Sequence, residues 1–261
     1  MMVFTDLIYP FFTSLFLALP RLYGFFLLLP MMNKSLFGHR LINHAIILSL
    51  GFLIRQHLPT PLPEMSTWFF FFIIIKEFFT GLLFGVIAAI PFWAMEAAGQ
   101  CIDQQRGATT GNILNPLSGQ QASLTGIFFS QYLILFYLTS GLFFQLIALF
   151  LRGFIWFPVF SSQFIFPATL ISLFFELITL YSHAVVNFAL PLIIPMYLTE
   201  IALAFVNKFA PALNVFVIAM PVKSAVALFF ATGYVIIAND PLTTLIKQTF
   251  TLITTLNIPL L

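Results

Sequence analysis

The side chains able to do chemistry gather between residues 91 and 126, PFWAMEAAGQCIDQQRGATTGNILNPLSGQQASLTG. This stretch is small, polar and glycine-rich in an otherwise apolar chain. Glu96, Gln100 and Asp103 repeat on one helical face, and Arg106 lies three residues past Asp103. A charge at bilayer depth costs at least about 2.5–3.5 kcal/mol, so such groups pair or line water. Two readings stand side by side. Asp103 and Arg106 either close a helix end ahead of a solvated loop, or the charges have a functional role of their own. The loop itself, Gly107 to Gln121, carries Gly107, Thr110, Gly111, Asn112, Asn115-Pro116 and Ser118-Gly119, which is turn chemistry. Among them stand Ile113, Leu114 and Leu117, which an exposed loop would not need. A polar loop with an apolar middle fits a segment tucked into a protein cavity, a re-entrant loop or plug.

Catalytic patterns are poor. The chain has no GxxxxGK phosphate loop, no HExxH and no GxSxG elbow. Ser118 and Ser140, each followed by glycine, with His183 as a base, are the best nucleophile candidates, a pattern that arises readily by chance. The single cysteine, Cys101, excludes an intrachain disulfide framework and any multi-cysteine metal site. No metal or cofactor is expected. His183 and Asn187 stand at i,i+4, the spacing of an interhelical hydrogen-bonding pair.

Other charges fall inside apolar sequence. Lys76 and Glu77 are adjacent, face different directions, and need partners elsewhere, across a helix or subunit interface. Glu200 and Lys208 are two turns apart, too far for a direct pair, so each should meet another helix. Gly81 and Gly85 form a small-xxx-small pair that lets a second helix approach closely.

The elements that must position these groups follow from composition. Of 261 residues, 61% are hydrophobic and 7% charged, with 36 Phe and a net charge of +2; mean hydropathy is +1.07. A soluble domain carries about 25% charged residues. There is no basic field for nucleic acid, and disorder is excluded. Apolar blocks run over 7–30, 41–58, 67–98, 123–157, 164–198 and 211–238. Each approaches or exceeds the roughly 20 residues of a membrane-crossing helix, and none alternates like a barrel strand. The fold class is an all-α membrane protein. Ser66 to Ala98 would make a helix of about 50 Å, longer than the hydrocarbon is thick. Pro10, Pro20, Pro91, Pro191, Pro195 and Pro221 sit inside apolar blocks, which predicts bent, protein-covered helices.

The first charge is Asp6, and the apolar block continues to Pro30 without a cleavage pattern, so no cleaved signal is expected. The sequon Asn33-Lys34-Ser35 is a chance match. The basic residues favour a cytoplasmic Lys34–Arg40 loop without fixing the orientation. Asp240-Pro241 reads as an N-cap and first helical residue. Beyond it Leu242, Leu245, Ile246, Thr249, Leu252, Ile253 and Leu256 form one face of an amphipathic helix over 241–256, placed on a membrane surface, on a partner helix or in the chain's own packing.

The run from Pro91 to Pro116 with GQQAS after it resembles the T subunit of the bacterial type III secretion export apparatus, whose flagellar counterpart is the export-gate R protein. A second block, ALPLIIPMYLTEIALAFVNKFAPALNVFVIAMPVKSAVAL (189–228), carries Glu200, Asn207, Pro211, Asn214, Met220-Pro221 and Lys223 at the family's spacing. Pro20-Arg21 and Pro30 fit as well. The QRGAT form is closer to injectisome members than to flagellar ones. The resemblance implies a non-catalytic subunit of a helical hetero-oligomeric export gate in the bacterial inner membrane, one T copy joined to R and S subunits. It implies neighbours in the switch (U) and large export-gate (V) subunits, unfolded secreted proteins as cargo, contact with membrane lipid, and projection towards the periplasm. On this chain it implies an R-like helical region over 1–160, with 107–121 as the pore plug, and an S-like helical hairpin region over 161–261. Lys76, Glu77, Gly81, Gly85, Glu200, Asn207, Lys208, Pro211, Asn214 and Lys223 are then subunit-packing residues. Relatives often carry an acidic residue before the plug proline, where this chain has Asn115. The sequence ends at Leu261 without a long hydrophilic tail, so contact with a switch subunit would use loops or the amphipathic end. A self-contained secondary transporter, with Lys76, Glu77 and Glu200 as its coupling site, is the rival reading.

Overall fold

The computed structural model describes residues 2–32, 40–55, 66–107, 123–161, 169–210 and 214–256. Among these there is no strand. Helices run α1 (Met2–Leu28), α2 (Arg40–Arg55), α3 (Thr67–Gln105), α4 (Leu124–Thr139), α5 (Leu142–Trp156), α6 (Thr169–Phe209), α7 (Val215–Ile237) and α8 (Asn239–Thr255), with a short 3-10 turn at Pro30–Met32. Four are long and apolar enough to cross a membrane, over Phe11–Leu28, Thr67–Gln105, Ile171–Phe209 and Val217–Tyr234, and the bent pair α4 and α5 makes a fifth. The break between that pair falls at Gly141, whose φ of 73° suits a residue without a Cβ. α3 has 39 residues and α6 has 41, about 60 Å each. The sequon and Lys34 lie outside the described residues.

The chain divides into two compact units. The first comprises Met1–Ala89, Gly141–Leu173 and Thr249–Leu261. In it α1 meets α3 backbone to backbone. A Cβ on Gly81 would stand 2.0 Å from the Arg21 carbonyl oxygen, and one on Gly24 would stand 2.4 Å from that of Phe78. The close approach expected of Gly81 and Gly85 is therefore made by α1 of the same chain. Phe150 of α5 closes the core, stacked on Phe25 at 4.2 Å and edge-on to Phe84.

The second unit comprises Ile90–Ser140 and Phe174–Gln248. Here α3 and α4 touch at Gly99, where a Cβ would stand 2.3 Å from the Gly126 nitrogen. Pro91, Pro191, Pro195 and Pro221 all lie inside helices. Pro191 brings no N–H to the Asn187 carbonyl, and the Tyr234 hydroxyl of α7 approaches that oxygen at 3.5 Å.

α8 starts two residues earlier than the reading with Asp240 as N-cap and Pro241 as first helical residue. Ala238 keeps right-handed helical angles (φ −67°, ψ −15°), so the helix resumes at Asn239 and Leu242 donates to the Ala238 carbonyl. The Asp240 carbonyl instead accepts from the hydroxyls of Thr243 and Thr244. Leu242, Leu245, Ile246, Thr249 and Ile253 are all buried, so the apolar face of α8 belongs to the chain's own packing.

Candidate functional site

The polar groups converge on the C-terminal end of α3. Its last carbonyls have no partner within the helix and carry the negative end of its dipole. Gly107 ends it with φ 81°, donating its N–H to the Gln104 carbonyl. Asp103, 3% exposed, accepts from the Ser123 hydroxyl at 2.7 Å, from the Thr125 amide at 3.1 Å and from the Thr125 hydroxyl. Arg106 pairs with it at 2.8 Å. Ser123 is also the N-cap of α4, its oxygen accepting from the Gly126 amide at 2.9 Å. One carboxylate thus holds the last turn of α3 to the first turn of α4, across the segment 108–122.

A second pair stands at the same helix end. Glu200 of α6 meets Lys223 of α7 at 2.8 Å and accepts from the Gln105 amide at 3.2 Å. Lys223 also reaches the Gln105 carbonyl at 3.5 Å, placing a cation at the dipole's negative end. The spacing argument leaves Glu200 and Lys208 unpaired with each other; Glu200 meets α7 instead, and Lys208 stands exposed.

Of the expected charge network, Asp103 and Arg106 come together. Glu96 is half-buried, Gln100 is exposed, and neither makes an ion pair or side-chain hydrogen bond among the described residues. Thr110, Gly111, Asn112, Ile113, Leu114, Asn115, Pro116, Leu117, Ser118, Gly119 and Gln121 lie outside the described residues, as does Pro211. Asn207 is exposed on α6, and Asn214 is the exposed N-cap residue of α7 without a side-chain capping bond.

In the first unit a separate cluster is fully buried. Arg21 Nε lies 2.6 Å from Glu77 Oε2, and Lys76 Nζ lies 3.1 Å from Glu77 Oε1. Lys76 and Glu77 therefore do contact each other, although neighbouring positions on a helix face different directions. Arg21 also donates to the carbonyls of Gly153 (3.0 Å) and Phe157 (2.7 Å) and lies over the Phe154 ring at 4.1 Å. Lys76 donates to the carbonyls of Pro158, Val159 and Ser161. Two cations share one carboxylate, and the surplus charge is met by the carbonyl end of α5 and the turn after it. Reading Lys76 and Glu77 alone missed Arg21. The signal was present, since a lone arginine inside an apolar helix requires a counter-charge.

Among the described residues no serine is seen hydrogen-bonded to His183. Ser140 donates to the Phe136 carbonyl at the end of α4, His183 is exposed, and Ser118 lies outside the described residues. Among the described residues no three His, Cys, Asp or Glu side chains could hold a metal ion.

An all-helical chain with four or five membrane-length apolar helices, whose charges gather at helix ends, is a multi-pass membrane protein. It belongs to the bacterial export proteins, family 1, which residues 12–259 match. This bears out the family resemblance of the two sequence blocks. The chain is similar to the Yop proteins translocation protein T of Yersinia pestis, 38% identical over 215 residues, 81% of each chain. It is also similar to the secretion system apparatus protein SsaT of Salmonella typhimurium, 33% identical over 213 residues, 77% of this chain and 79% of the relative. The flagellar biosynthetic protein FliR of Bacillus subtilis is 28% identical over 225 residues, 83% of each. The protein is thus a component of protein export, in a family of export-apparatus proteins rather than of enzymes.

Proposed function

We propose that this chain is a core subunit of the type III secretion export gate. With R and S subunits it forms the channel through which unfolded proteins cross the bacterial inner membrane, and residues 107–121 plug that channel at rest. The gate projects towards the periplasm, with the U and V subunits as further neighbours. The 1–160 portion is R-like and the 161–261 portion S-like. The similarity to proteins named for translocation, secretion and flagellar biosynthesis supports the assignment to the machine.

One observation supports the plug: Asp103 binds Ser123 and Thr125 while pairing with Arg106, so the excursion 108–122 leaves and re-enters at a single pinned base. As a plug, the segment would exclude water with Ile113, Leu114 and Leu117. Deleting residues 112–118 in the assembled apparatus should make the resting membrane leak ions, read as collapse of a potential-sensitive dye signal. A membrane as tight as wild type would remove the plug role. Native mass spectrometry of the chain co-expressed with R and S subunits should give one large complex with a single copy of this chain. A lone chain, with both partners expressed, would transfer the case to a self-contained transporter. The coupling site such a transporter needs has little support: Glu77 is engaged by Arg21 and Lys76, and Lys76 also binds three backbone carbonyls.

A further inference from the structure

We propose that the groove between α5 and α8 in the first unit holds the headgroup of an anionic membrane phospholipid, its phosphate gripped by Arg152. The groove has a volume of about 320 Å³. Gln145, Ala148, Leu149 and Arg152 line it from one face of α5, and Phe250 and Thr254 line it from α8. Arg152 is exposed and makes no ion pair among the described residues. An arginine on an apolar helix of the bent α4–α5 pair is costly unless its charge is met, and a phosphate offers oxygens spaced for the planar guanidinium fork.

The rest of the lining suits that ligand. Gln145 supplies amide donors for phosphate or glycerol oxygens. The Thr254 hydroxyl donates to the Thr251 carbonyl at 2.7 Å and keeps its lone pairs for a glycerol hydroxyl. Ala148, Leu149 and Phe250 give apolar walls, which a free phosphate would leave wetted and the first methylenes of a lipid would cover. Phe144 and Ile155 on α5 are 74% and 77% exposed, a surface for the acyl chains. Trp156 stands one turn beyond Arg152 and is of the type that settles at headgroup level.

The field also permits an anion here. The negative end of the α5 dipole would repel phosphate, but Arg21 already occupies the Gly153 and Phe157 carbonyls, and Lys76 those that follow. With cations already at that end, Arg152 has no counter-charge among the described residues and favours a net-negative headgroup over a zwitterionic one. Nothing in this site depends on the plug or on Asp103.

The test is native mass spectrometry of the full-length chain, extracted in mild detergent with whatever subunits accompany it. The sample is titrated with phosphatidylglycerol, phosphatidylethanolamine or sodium phosphate. The expected result is one saturable phosphatidylglycerol adduct per chain, preferred over phosphatidylethanolamine and undisturbed by phosphate. Arg152→Gln should weaken it roughly tenfold to a hundredfold, the worth of a charge-assisted hydrogen bond. Ala148→Trp fills the groove without changing charge and should abolish the adduct; it keeps the proposal testable if Arg152→Gln does not fold. Lys208→Gln, which removes an exposed cation outside the groove, should leave binding unchanged. Full affinity in Arg152→Gln or Ala148→Trp, competition by free phosphate, or loss of the adduct whenever partner subunits are bound would each overturn the proposal.

Discussion

Replacing Asp103 by Asn tests whether the base of the 108–122 segment is held by a charge. In the wild type Oδ2 accepts from the Ser123 hydroxyl and the Thr125 amide, while Oδ1 accepts from the Thr125 hydroxyl and faces Arg106 at 2.8 Å. The asparagine amide has one oxygen, so it can serve one of these two pairs. Facing Ser123, it turns its NH2 towards Arg106 and leaves a cation with 18% exposed side chain unpaired. Facing Arg106, it gives up Ser123 and the Thr125 amide. Either way two contacts to a charged group are lost. Hydrogen bonds to charged groups contribute about 1.5–3 kcal/mol each, and partial recovery by the amide leaves a net loss of about 2–4 kcal/mol. The Thr125 amide, which donates to the carboxylate, reports the change directly. Its hydrogen exchange in the detergent-extracted full chain should accelerate roughly thirtyfold to a thousandfold, if local opening limits exchange. Amides in the middle of α6 should be unaffected. Arg106→Gln leaves all three Ser123 and Thr125 bonds intact and should raise the rate by less than tenfold. An unchanged Thr125 rate in a folded Asp103→Asn chain would refute the account of the loop base.

The glycine contacts make a paired prediction: Gly81→Ala drives a Cβ onto the Arg21 carbonyl and should lower thermal stability in detergent by at least about 2 kcal/mol, whereas Gly233→Ala, with open space around it, should be neutral or raise stability by up to about 1 kcal/mol. In the buried cluster, Glu77→Gln leaves Arg21 and Lys76 without their carboxylate and should cost about 3–5 kcal/mol. Lys76→Met leaves the Arg21–Glu77 pair in place and should cost distinctly less in the same melt. Glu200→Gln should cost under about 1 kcal/mol and lose its effect at high salt, because half of the Glu200 side chain is exposed.

Helix existence was legible because it rests on block length and composition, which tertiary packing does not alter. The 67–98 block became α3, ending at Gln105, since Glu96, Ala97, Ala98, Gln100, Gln104 and Gln105 are good helix formers that carry the helix past Gly99 to Gly107. The Asp240 cap was misplaced because sequence reads a proline as a start signal, while Ala238 had already restored helical angles. Side-chain partners were legible only when local. Asp103 and Arg106 share a turn, so spacing could suggest their pairing. Arg21 and Glu77 are brought together by a helix crossing, and that crossing depends on Gly24 and Gly81 allowing carbonyls into the space of a Cβ. Sequence could identify the small residues on α3 and the unpaired charges, but not that α1 would answer both.

The two polar clusters use the same chemistry in different units. In the first, Arg21 and Lys76 donate to carbonyls at the end of α5 and in the turn after it. In the second, Lys223 reaches the terminal carbonyl of α3, with Arg106 one residue beyond. A helix that stops within apolar surroundings leaves carbonyls that neither lipid nor Phe-rich packing can satisfy. A cation answers both the orphan acceptors and the negative dipole end, and a carboxylate on a neighbouring turn then keeps the cation in place. Charges so used mark where helices end rather than a path for ions. This explains how a chain with 7% charged residues places so many of them under cover. It also separates the two clusters by consequence. Loosening the Arg21–Glu77–Lys76 cluster should unfold the packing of α1 on α3, whereas loosening Asp103 should free only the base of 108–122. Export that fails in Asp103→Asn while α1 and α3 keep their exchange protection would therefore assign the defect to the loop and not to the fold.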